Sequence, residues 1–399
     1  MKRVLAALVI LGSPFSAAAQ QSQPATAPTS TPQRTVQLTG MVLVNGFWNS
    51  SAVANADLPL AAVPDSVGIK GGGASIRQTR IGVLVNDPDV LGGTFTGEID
   101  ADFYGGQQPS GSGRTSPLLR LRRVNGTIDW SHVQLMVGQE KPLVSPRNPR
   151  SLAAVGFPEF SSSGNLWLWI PQVRLTVETG YTLRLALQAA ILAPTAGTPQ
   201  PAFTTTLDSA ERTGRPSLEG RLRIGWGSTD NPSEFAIGAH QGWLKNLDSL
   251  SGDSIQVSQA LTADARVVFG PFELVGEAFT GKALAGLGGG GVGQNFGVEG
   301  AAVHTSGGWG QLNARPVKDW MFGVGCGIDD PKDADVFTAG DSTYLTKGGR
   351  LRNLACEGHL QWTPPGPVVV AFEFRQIRTT YLTGEERVNH LNLAFGYRF

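Results

Sequence analysis

The last ten residues of the chain alternate strictly between apolar and polar positions. Five apolar side chains are spaced by two: Leu391, Leu393, Phe395, Tyr397 and Phe399. The positions between them hold His390, Asn392, Ala394, Gly396 and Arg398. Because successive side chains of a strand point to opposite faces, this segment predicts a strand with one apolar and one polar face. The aromatic residues crowd toward one end, which is typical of a strand that faces lipid and ends at the membrane–water interface.

The closing aromatic residue resembles the C-terminal signal of Gram-negative outer-membrane barrels. We therefore interpret Phe395, Tyr397 and Phe399 as a membrane-insertion signal, which implies recognition of the last strand by the barrel-assembly machinery.

The beginning of the chain is consistent with export. Lys2 and Arg3 precede an apolar run over residues 4–11, and Ala17, Ala18 and Ala19 form a small-residue cleavage site. Residues 1–19 are therefore predicted to be a secretory signal peptide. An N-terminal membrane anchor is the alternative, but the run is too short to cross about 30 Å of hydrocarbon. Residues 20–34, rich in Gln, Pro, Thr, Ser and Ala, predict a disordered periplasmic linker.

Composition narrows the class of protein. The mean hydropathy is -0.07, and the mature chain has no run of about 18 apolar residues, so a helical membrane protein is excluded. The 52 glycines suit a chain made of strands and turns. The formal charge of +0 argues against nucleic acid as a partner.

Residues 35–399 break into alternating segments of about ten residues, as expected for an antiparallel transmembrane β-barrel. About sixteen strands are predicted, with a margin of two: 36–48, 75–86, 93–104, 118–130, 132–139, 166–178, 181–192, 216–227, 233–244, 254–269, 272–281, 307–314, 319–328, 350–362, 368–380 and 388–399. Residues 294–305 also alternate and are assigned to a loop or to the start of the twelfth strand.

Connections of two lengths support this fold class, an all-β barrel with short periplasmic turns and long extracellular loops. Short turns are predicted at 86–89, 130–132, 179–180, 269–271 and 363–366. Long loops are predicted at 49–74, 105–117, 140–165, 193–215 and 329–349, where the alternation requires them.

Charged residues test which face of each strand meets lipid, since an arginine or lysine near the bilayer midplane costs about 2–4 kcal/mol on that face. Glu98, Asp100 and Asp102 share one face of their strand, and Arg174 and Arg223 also alternate with apolar residues. These side chains are predicted to line the lumen. The fourth strand changes phase after Arg120 and Arg122, which predicts a bulge near Arg122. A soluble sandwich would also alternate.

A barrel of this size leaves a water-filled channel. A polar, charged interior predicts passive or substrate-selective diffusion of small solutes. The loop at 140–165 joins the fifth and sixth strands and carries Lys141, Arg147 and Arg150 against Glu140 and Glu159. Because arginine suits carboxylate and phosphate groups, we expect this loop to narrow the pore and favour anions.

A solvated extracellular loop, whose arginines pair with lumen acids such as Glu98 and Asp100, is the alternative.

Several strings resemble the phosphate-selective and dicarboxylate-uptake type of Gram-negative porins: GEIDADFYGG from Gly97, SPLLRLRRVNGTI from Ser116, MVGQEKPLVSP from Met136, SGNLWLWIPQVRLT from Ser163, GGWGQLNARP from Gly307 and GIDDP from Gly327. The resemblance implies a sixteen-stranded homotrimer whose third external loop constricts the pore and whose basic residues draw small anions. The matching basic residues are Lys141, Arg147 and Arg150 in the loop and Arg120 and Arg122 in the strand. Lys-rich external runs and apolar linker heptads, which some members carry, are absent here.

Catalytic motifs are absent from the sequence. The five histidines, at positions 132, 240, 304, 359 and 390, are scattered and belong to no Gly-x-Ser-x-Gly or His-Glu-x-x-His motif. The Gly-rich stretch 286–293 lacks the Lys-Ser/Thr of a phosphate-binding loop and predicts a flexible loop tip. The sequence therefore predicts no enzyme, no cofactor and no metal site.

Cys326 and Cys356 lie on the two strands that flank the 329–349 loop. The alternation of the residues around them places both side chains on the outward face. Export permits a disulfide, and two lipid-buried thiols are the alternative.

These observations favour an outer-membrane porin that admits small hydrophilic, anionic solutes. An outer-membrane barrel with a structural or adhesive role and a closed lumen remains the alternative.

Overall fold

The computed structural model describes residues 33–65, 68–106, 116–198, 206–246, 254–336 and 349–399. The predicted signal peptide (1–19) and nearly all of the predicted linker (20–34) lie outside these residues. Among the described residues, no helix is long and apolar enough to span a membrane.

The described residues form one closed antiparallel sheet of seventeen strands. Its strands are β1 (Thr35–Val53), β2 (Ile69–Ser75), β3 (Arg80–Val90), β4 (Gly93–Asp102), β5 (Arg120–Asp129), β6 (Val133–Glu140), β7 (Ile170–Thr179), β8 (Leu183–Leu192), β9 (Ser217–Trp226), β10 (Ser233–Lys245), β11 (Ile255–Phe269), β12 (Phe272–Lys282), β13 (His304–Ala314), β14 (Trp320–Pro331), β15 (Arg350–Trp362), β16 (Val368–Tyr381) and β17 (Gly384–Arg398). A four-residue α-helix, α1 (Asp333–Val336), and three single 3₁₀ turns, Glu211–Thr213, Ala285–Leu287 and Val298–Gly300, lie in the loops.

Strands β2 and β3 occupy a single position in the barrel. The first half of β1 pairs with β3, from Thr35 opposite Asn86, and its second half pairs with β2, from Asn45 opposite Ser75. Residues 76–79 interrupt this position, and the Thr79 hydroxyl accepts a hydrogen bond from the Leu43 backbone N–H at 3.0 Å. The other edge of β1 pairs with β17 and closes the sheet. The barrel therefore has sixteen strand positions, which confirms the predicted count.

Connections of two lengths separate the ends of the barrel, as predicted. We call one the short-turn end, where the connections are 91–92, 130–132, 180–182, 227–232, 270–271, 315–319 and 363–367. The other is the long-loop end, where residues 54–68, 103–119, 141–169, 193–216, 246–254, 283–303 and 332–349 connect the strands, with a short exception at 382–383.

Several predicted boundaries are wrong, among them the loop expected at 49–74, which contains the end of β1 and most of β2. The turn expected at 86–89 lies at 91–92, because β3 continues to Val90 through an irregular register after Asp87. Pro88 sits in this irregular stretch, where a missing N–H is tolerated. The strand expected from residue 166 begins at Ile170, and residues 166–169 belong to the preceding loop. Residues 294–303 are loop and β13 begins at His304, as predicted.

Each wall strand separates lipid-facing from lumen-facing residues. In β9, Leu218 and Leu222 lie outward and are nearly half exposed, whereas Glu219 and Arg221 are buried inside. Aromatic pairs mark the short-turn end, where Phe269 stacks on Phe272, and Trp320 lies beside Trp362. This outer band fits a barrel surrounded by lipid.

The bulge predicted near Arg122 is present. Asp100 pairs with Arg123 and Ala101 with Leu121, so Arg122 has no partner in the register between β4 and β5. The extra residue changes the phase of β5, which explains why the sequence of this strand shifts its polar positions.

Cys326 and Cys356 are directly opposite each other on β14 and β15 and form a disulfide. Their outward direction agrees with the parity of the sequence, since Val324 and Ile328 on the same face of β14 are exposed.

Candidate functional site

The loop between β6 and β7 lies inside the barrel, and we call residues 141–169 the inner loop. On one wall, the Gln78 amide oxygen accepts hydrogen bonds from the N–H groups of Val155 at 2.6 Å and Gly156 at 2.8 Å. On the far wall, a Glu277 oxygen accepts from the Arg147 N–H at 2.5 Å. The inner loop therefore crosses the lumen from the segment between β2 and β3 to β12.

The inner loop also packs on a second loop. Leu143 and Leu166 share one apolar cluster with Leu284 and Leu287 of the 283–303 loop. The N–H groups of Trp167 and Leu168 donate to the Leu287 carbonyl. This packing fixes the position of the inner loop. The alternation of apolar and polar residues in the sequence does not determine that position.

Arg147 and Arg150, two predicted anion-binding residues, bind carboxylates of the opposite wall. Arg147 pairs with Glu234 and with Asp264, each at 2.7 Å, and Arg150 pairs with Glu273 at 2.8 Å. Arg150 keeps 42% of its side chain exposed, whereas Arg147 keeps 13%. Most of the Arg147 charge is therefore engaged in holding the inner loop against the wall, and Arg150 also faces open space.

Lys141 and Arg174 support the backbone of the inner loop. The Lys141 ammonium group is buried and donates to the Arg147 carbonyl and to the Asn148 side chain. Burial lowers the pKa of this ammonium group. Arg174 donates to the Lys141 carbonyl and to Gln172, each at 2.9 Å. Lys141 is therefore withdrawn from the lumen, whereas Arg174 stays partly exposed.

Arg223 lies on the lumen face of β9, as predicted, and pairs with Glu178 and, at 3.2 Å, with Glu234. Its neighbour Arg221 binds Asp264 at 2.8 Å, so Asp264 and Glu234 each serve two arginines. The wall from β9 to β11 thus carries alternating charges that largely neutralise one another.

The predicted lumen acids face inward on β4 and are also paired. Asp102 accepts from Arg120 at 2.7 Å, Asp100 lies 3.4 Å from Arg122, and Glu98 pairs with Arg123 at 2.5 Å. On the other side of these arginines lie aromatic rings of the inner loop. The Arg120 guanidinium is 4.7 Å from the Phe157 ring centroid, and that of Arg122 is 4.6 Å from the Trp169 centroid.

A cavity of about 670 Å³ opens between the inner loop and the short-turn end, and we call it the arginine cavity. Its wall includes one carboxylate, Glu273, and five arginines: Arg147, Arg150, Arg266, Arg315 and Arg398. In the part of the chain that the structure describes, Arg315 and Arg398 have no carboxylate within 4.0 Å. Burial lowers the pKa of Arg315, and Arg150 and Arg266 lower it further, while Glu273 opposes them. The cavity therefore carries an excess of positive charge.

The sequence analysis did not identify three of these arginines as site residues: Arg266, Arg315 and Arg398. Parity places Arg398 on the polar face of the last strand, so this one could have been found. Arg315 lies in the turn after β13, and turn residues have no face that a period-two pattern can assign.

The predicted insertion signal lies on the outside of the barrel. Phe395, Tyr397 and Phe399 are each about half exposed and belong to the aromatic residues of the short-turn end.

Comparison with solved structures identifies the type of barrel. The outer membrane channel DcaP of Acinetobacter baumannii matches with a TM-score of 0.67 at 17% identity, over 93% of this chain and 99% of that chain. An anion-selective porin from Comamonas acidovorans matches with a TM-score of 0.56 at 12% identity, over 92% and 100%. OprB of Pseudomonas putida matches with a TM-score of 0.52 at 10% identity, over 91% and 94%.

The chain has the fold of Gram-negative outer-membrane porins. Its apolar outer band places this fold in the outer membrane. No family model matches the sequence, and no curated protein matches it.

Proposed function

We propose that this protein is an outer-membrane porin through which small hydrophilic, anionic solutes, such as carboxylates and phosphate, diffuse passively. The observation that carries the proposal is the arginine cavity, where five arginines and one glutamate line open space beside the inner loop. A water-filled lumen lined by one sign of charge concentrates ions of the other sign. Arginine forms paired hydrogen bonds with carboxylate and phosphate groups, so both solute classes suit this wall.

The paired arginines contribute by removing negative charge from the lumen. Glu234, Asp264 and Glu273 would attract cations if they were unpaired, but each is shared between an arginine of the inner loop and an arginine of the wall. Selectivity then depends on Arg315 and Arg398, whose charges face the cavity without an ion pair among the described residues.

A structural or adhesive barrel with a closed lumen is the second candidate. It is favoured by the packing of the inner loop on the 283–303 loop, which fills part of the lumen at the long-loop end. Such a barrel would use its long loops as a binding surface and would conduct no ions.

Single-channel recording of the refolded protein in a planar bilayer separates these candidates. We expect stepwise currents, and under a KCl gradient a reversal potential that favours anions. The double variant Arg147→Ala/Arg150→Ala should shift the reversal potential toward cations, because it removes two positive charges and leaves Glu234, Asp264 and Glu273 with one arginine each. Steps with a cation-favouring reversal in the unaltered protein would overturn anion selectivity. A folded barrel without steps would overturn transport and favour the closed lumen.

The proposal includes the partners expected from the sequence: the lipid bilayer, the barrel-assembly machinery and two further copies of the chain. A trimer form of OmpT, an outer membrane protein of Vibrio cholerae, has a similar barrel, with a TM-score of 0.54 at 9% identity over 92% of this chain and 99% of that chain. The mass of the detergent-solubilised protein, measured by light scattering, tests the trimer. The N-terminal sequence of the exported protein tests cleavage after Ala19. We also propose that the protein is not an enzyme.

A further inference from the structure

Three metal-ligating side chains meet on the inner wall of β15 and β16. Glu357 and His359 are two residues apart and share a face of β15, and Glu373 of β16 is directly opposite His359. One His359 nitrogen and one oxygen from each glutamate lie within 4.8 Å of one another. All three residues are buried, and each side chain is at most 2% exposed.

A third carboxylate comes from the inner loop. Glu159 is fully buried, and Arg375 donates from a single nitrogen, Nη2, to both Glu159 and Glu373. Two buried carboxylates therefore share one guanidinium group, and Glu357 lies opposite Arg375 in the register of β15 and β16. A buried charge without compensation is costly, and a divalent cation would compensate the negative charge of these acids.

An unpaired ligand atom points to the same conclusion. Glu159 Oε1 has no hydrogen-bond partner in the described part of the chain, although the carboxylate is completely enclosed. Its other oxygen shares a donor with Glu373, so the Glu159 carboxylate lies beside Glu373. The imidazole of His359 turns Nδ1 toward the cluster, 3.0 Å from Glu357, whereas Nε2 lies over Gly323 of β14 on the other side.

Surrounding side chains orient the ligands. The Gln311 amide donates to Glu357 at 2.9 Å, and the Ser151 hydroxyl of the inner loop donates to Glu373 at 2.6 Å. Such outer hydrogen bonds are typical of metal sites, where they fix the direction of each carboxylate.

The donor set indicates the class of ion. One imidazole nitrogen with carboxylate oxygens suits zinc, whereas calcium and magnesium prefer oxygen alone. Bonds of about 2.1 Å in a tetrahedral zinc site place ligand atoms about 3.4 Å apart. The ligand atoms lie within 4.8 Å of one another, so no pair has to close by more than about 1.4 Å upon binding.

We propose that Glu357, His359 and Glu373 bind one divalent transition-metal ion of the zinc class, with Glu159 as a fourth ligand. The ion would tie the inner loop to the wall of β15 and β16, because Glu159 and the orienting Ser151 both belong to that loop. Sequence motifs do not reveal this site, since Glu-x-His differs from the Cys-x2–4-Cys and His-x3–5-His spacings typical of structural zinc sites, and Glu159 is 200 positions before His359. The proposal does not depend on which solute passes the pore.

Metal content of the folded protein tests the proposal. Untagged protein is refolded, stripped with EDTA, dialysed against Zn²⁺ and washed, and its folding is checked by heat-modifiable electrophoretic mobility. We expect one zinc per chain and a higher unfolding temperature with zinc. His359→Gln and Glu357→Gln should lose both effects.

His240→Gln is the matched control. His240 Nδ1 lies 3.0 Å from Glu219 in another buried lumen pair, but no third ligand group joins this pair among the described residues. Zinc binding should therefore survive in this variant. The proposal is overturned if the folded unaltered protein holds no stoichiometric zinc, or if both substitutions at the site leave binding unchanged.

Cobalt provides a readout that needs no variant. Co²⁺ bound to the unaltered protein should give the intense visible absorption of a tetrahedral site with nitrogen and oxygen ligands. A weak spectrum like that of hydrated Co²⁺ would overturn the proposal even if the substituted proteins fail to fold.

Discussion

Replacing Arg315 by glutamine should reduce the preference of the channel for anions. Arg315 lines the arginine cavity, and its recorded hydrogen bond is to the sulfur of Met321 at 3.1 Å. No carboxylate in the described part of the chain lies within 4.0 Å to neutralise it. Its substitution therefore removes a full positive charge from the wall and leaves no carboxylate unpaired.

Coulomb's law sets the size of the effect. Two unit charges 4 Å apart in water interact by about 1 kcal/mol, and at about 8 Å with physiological salt by roughly 0.2 kcal/mol. The substitution removes this attraction for an anion and an equal repulsion for a cation. The difference between the two ions is thus roughly 0.4–2 kcal/mol, which changes the anion-to-cation permeability ratio by about 2-fold to 30-fold.

The assay is the reversal potential of single channels under a KCl gradient, repeated at higher salt, where screening should shrink the shift. Lys318→Gln is the control, because Lys318 lies in the same turn but does not line the cavity. We expect a clear shift for Arg315→Gln and a smaller one for Lys318→Gln. Equal shifts in the two variants, or none in either, would refute the reasoning that the unpaired arginines of the cavity set selectivity.

Three further predictions concern the barrel and the inner loop. Leu222→Arg should lower the free energy of unfolding by about 2–4 kcal/mol in lipid vesicles relative to Leu222→Ala, and equal values would contradict a lipid-facing Leu222. Replacing Cys326 and Cys356 by serine should lower the free energy of unfolding, measured by urea titration, by about 2–4 kcal/mol. An unchanged free energy of unfolding, or alkylation of free thiols in the unaltered protein, would argue against the disulfide. Gly164→Ala should loosen the inner loop and raise single-channel conductance, because the φ of Gly164 is +95° and an added Cβ would lie 2.3 Å from a backbone carbonyl oxygen of β13. Gly92→Ala is the control, since Gly92 has a φ of +76° but open space around it, and this variant should conduct normally. Equal conductance of the two variants would contradict the role of the inner loop in narrowing the pore.

The barrel could be predicted from the sequence because each wall strand separates two solvents. In β9, Leu222 faces lipid while Arg221 and Arg223 face the lumen. The sequence of the strand therefore alternates between apolar and polar residues with a period of two. The bulge at Arg122 was also predictable, since one extra residue inverts the pattern for the rest of the strand.

The interrupted position of β2 and β3 was not predictable in the same way. β2 contains three consecutive glycines, Gly71 to Gly73, which carry no side chain to assign to a face. Its pairing with the second half of β1 is a contact between segments, and the local sequence contains no signal for it. The turn predicted at 86–89 was wrong for a related reason. A strand tolerates a proline such as Pro88 where the register with its neighbour is irregular, and the local sequence does not show where that occurs.

Charge pairing across the lumen could not be predicted from any local sequence pattern. Arg147 and Arg150 meet Asp264 and Glu273 at separations of 117 and 123 positions, and parity predicts only that such residues share the lumen. Counting the cations of the inner loop therefore suggests a positive loop, although its arginines mainly cancel carboxylates of the wall. The charge that a permeating ion meets is what remains after this cancellation. In the arginine cavity the remainder includes Arg315, from a turn that the sequence analysis did not consider, and for that reason its substitution is the sharper test of selectivity.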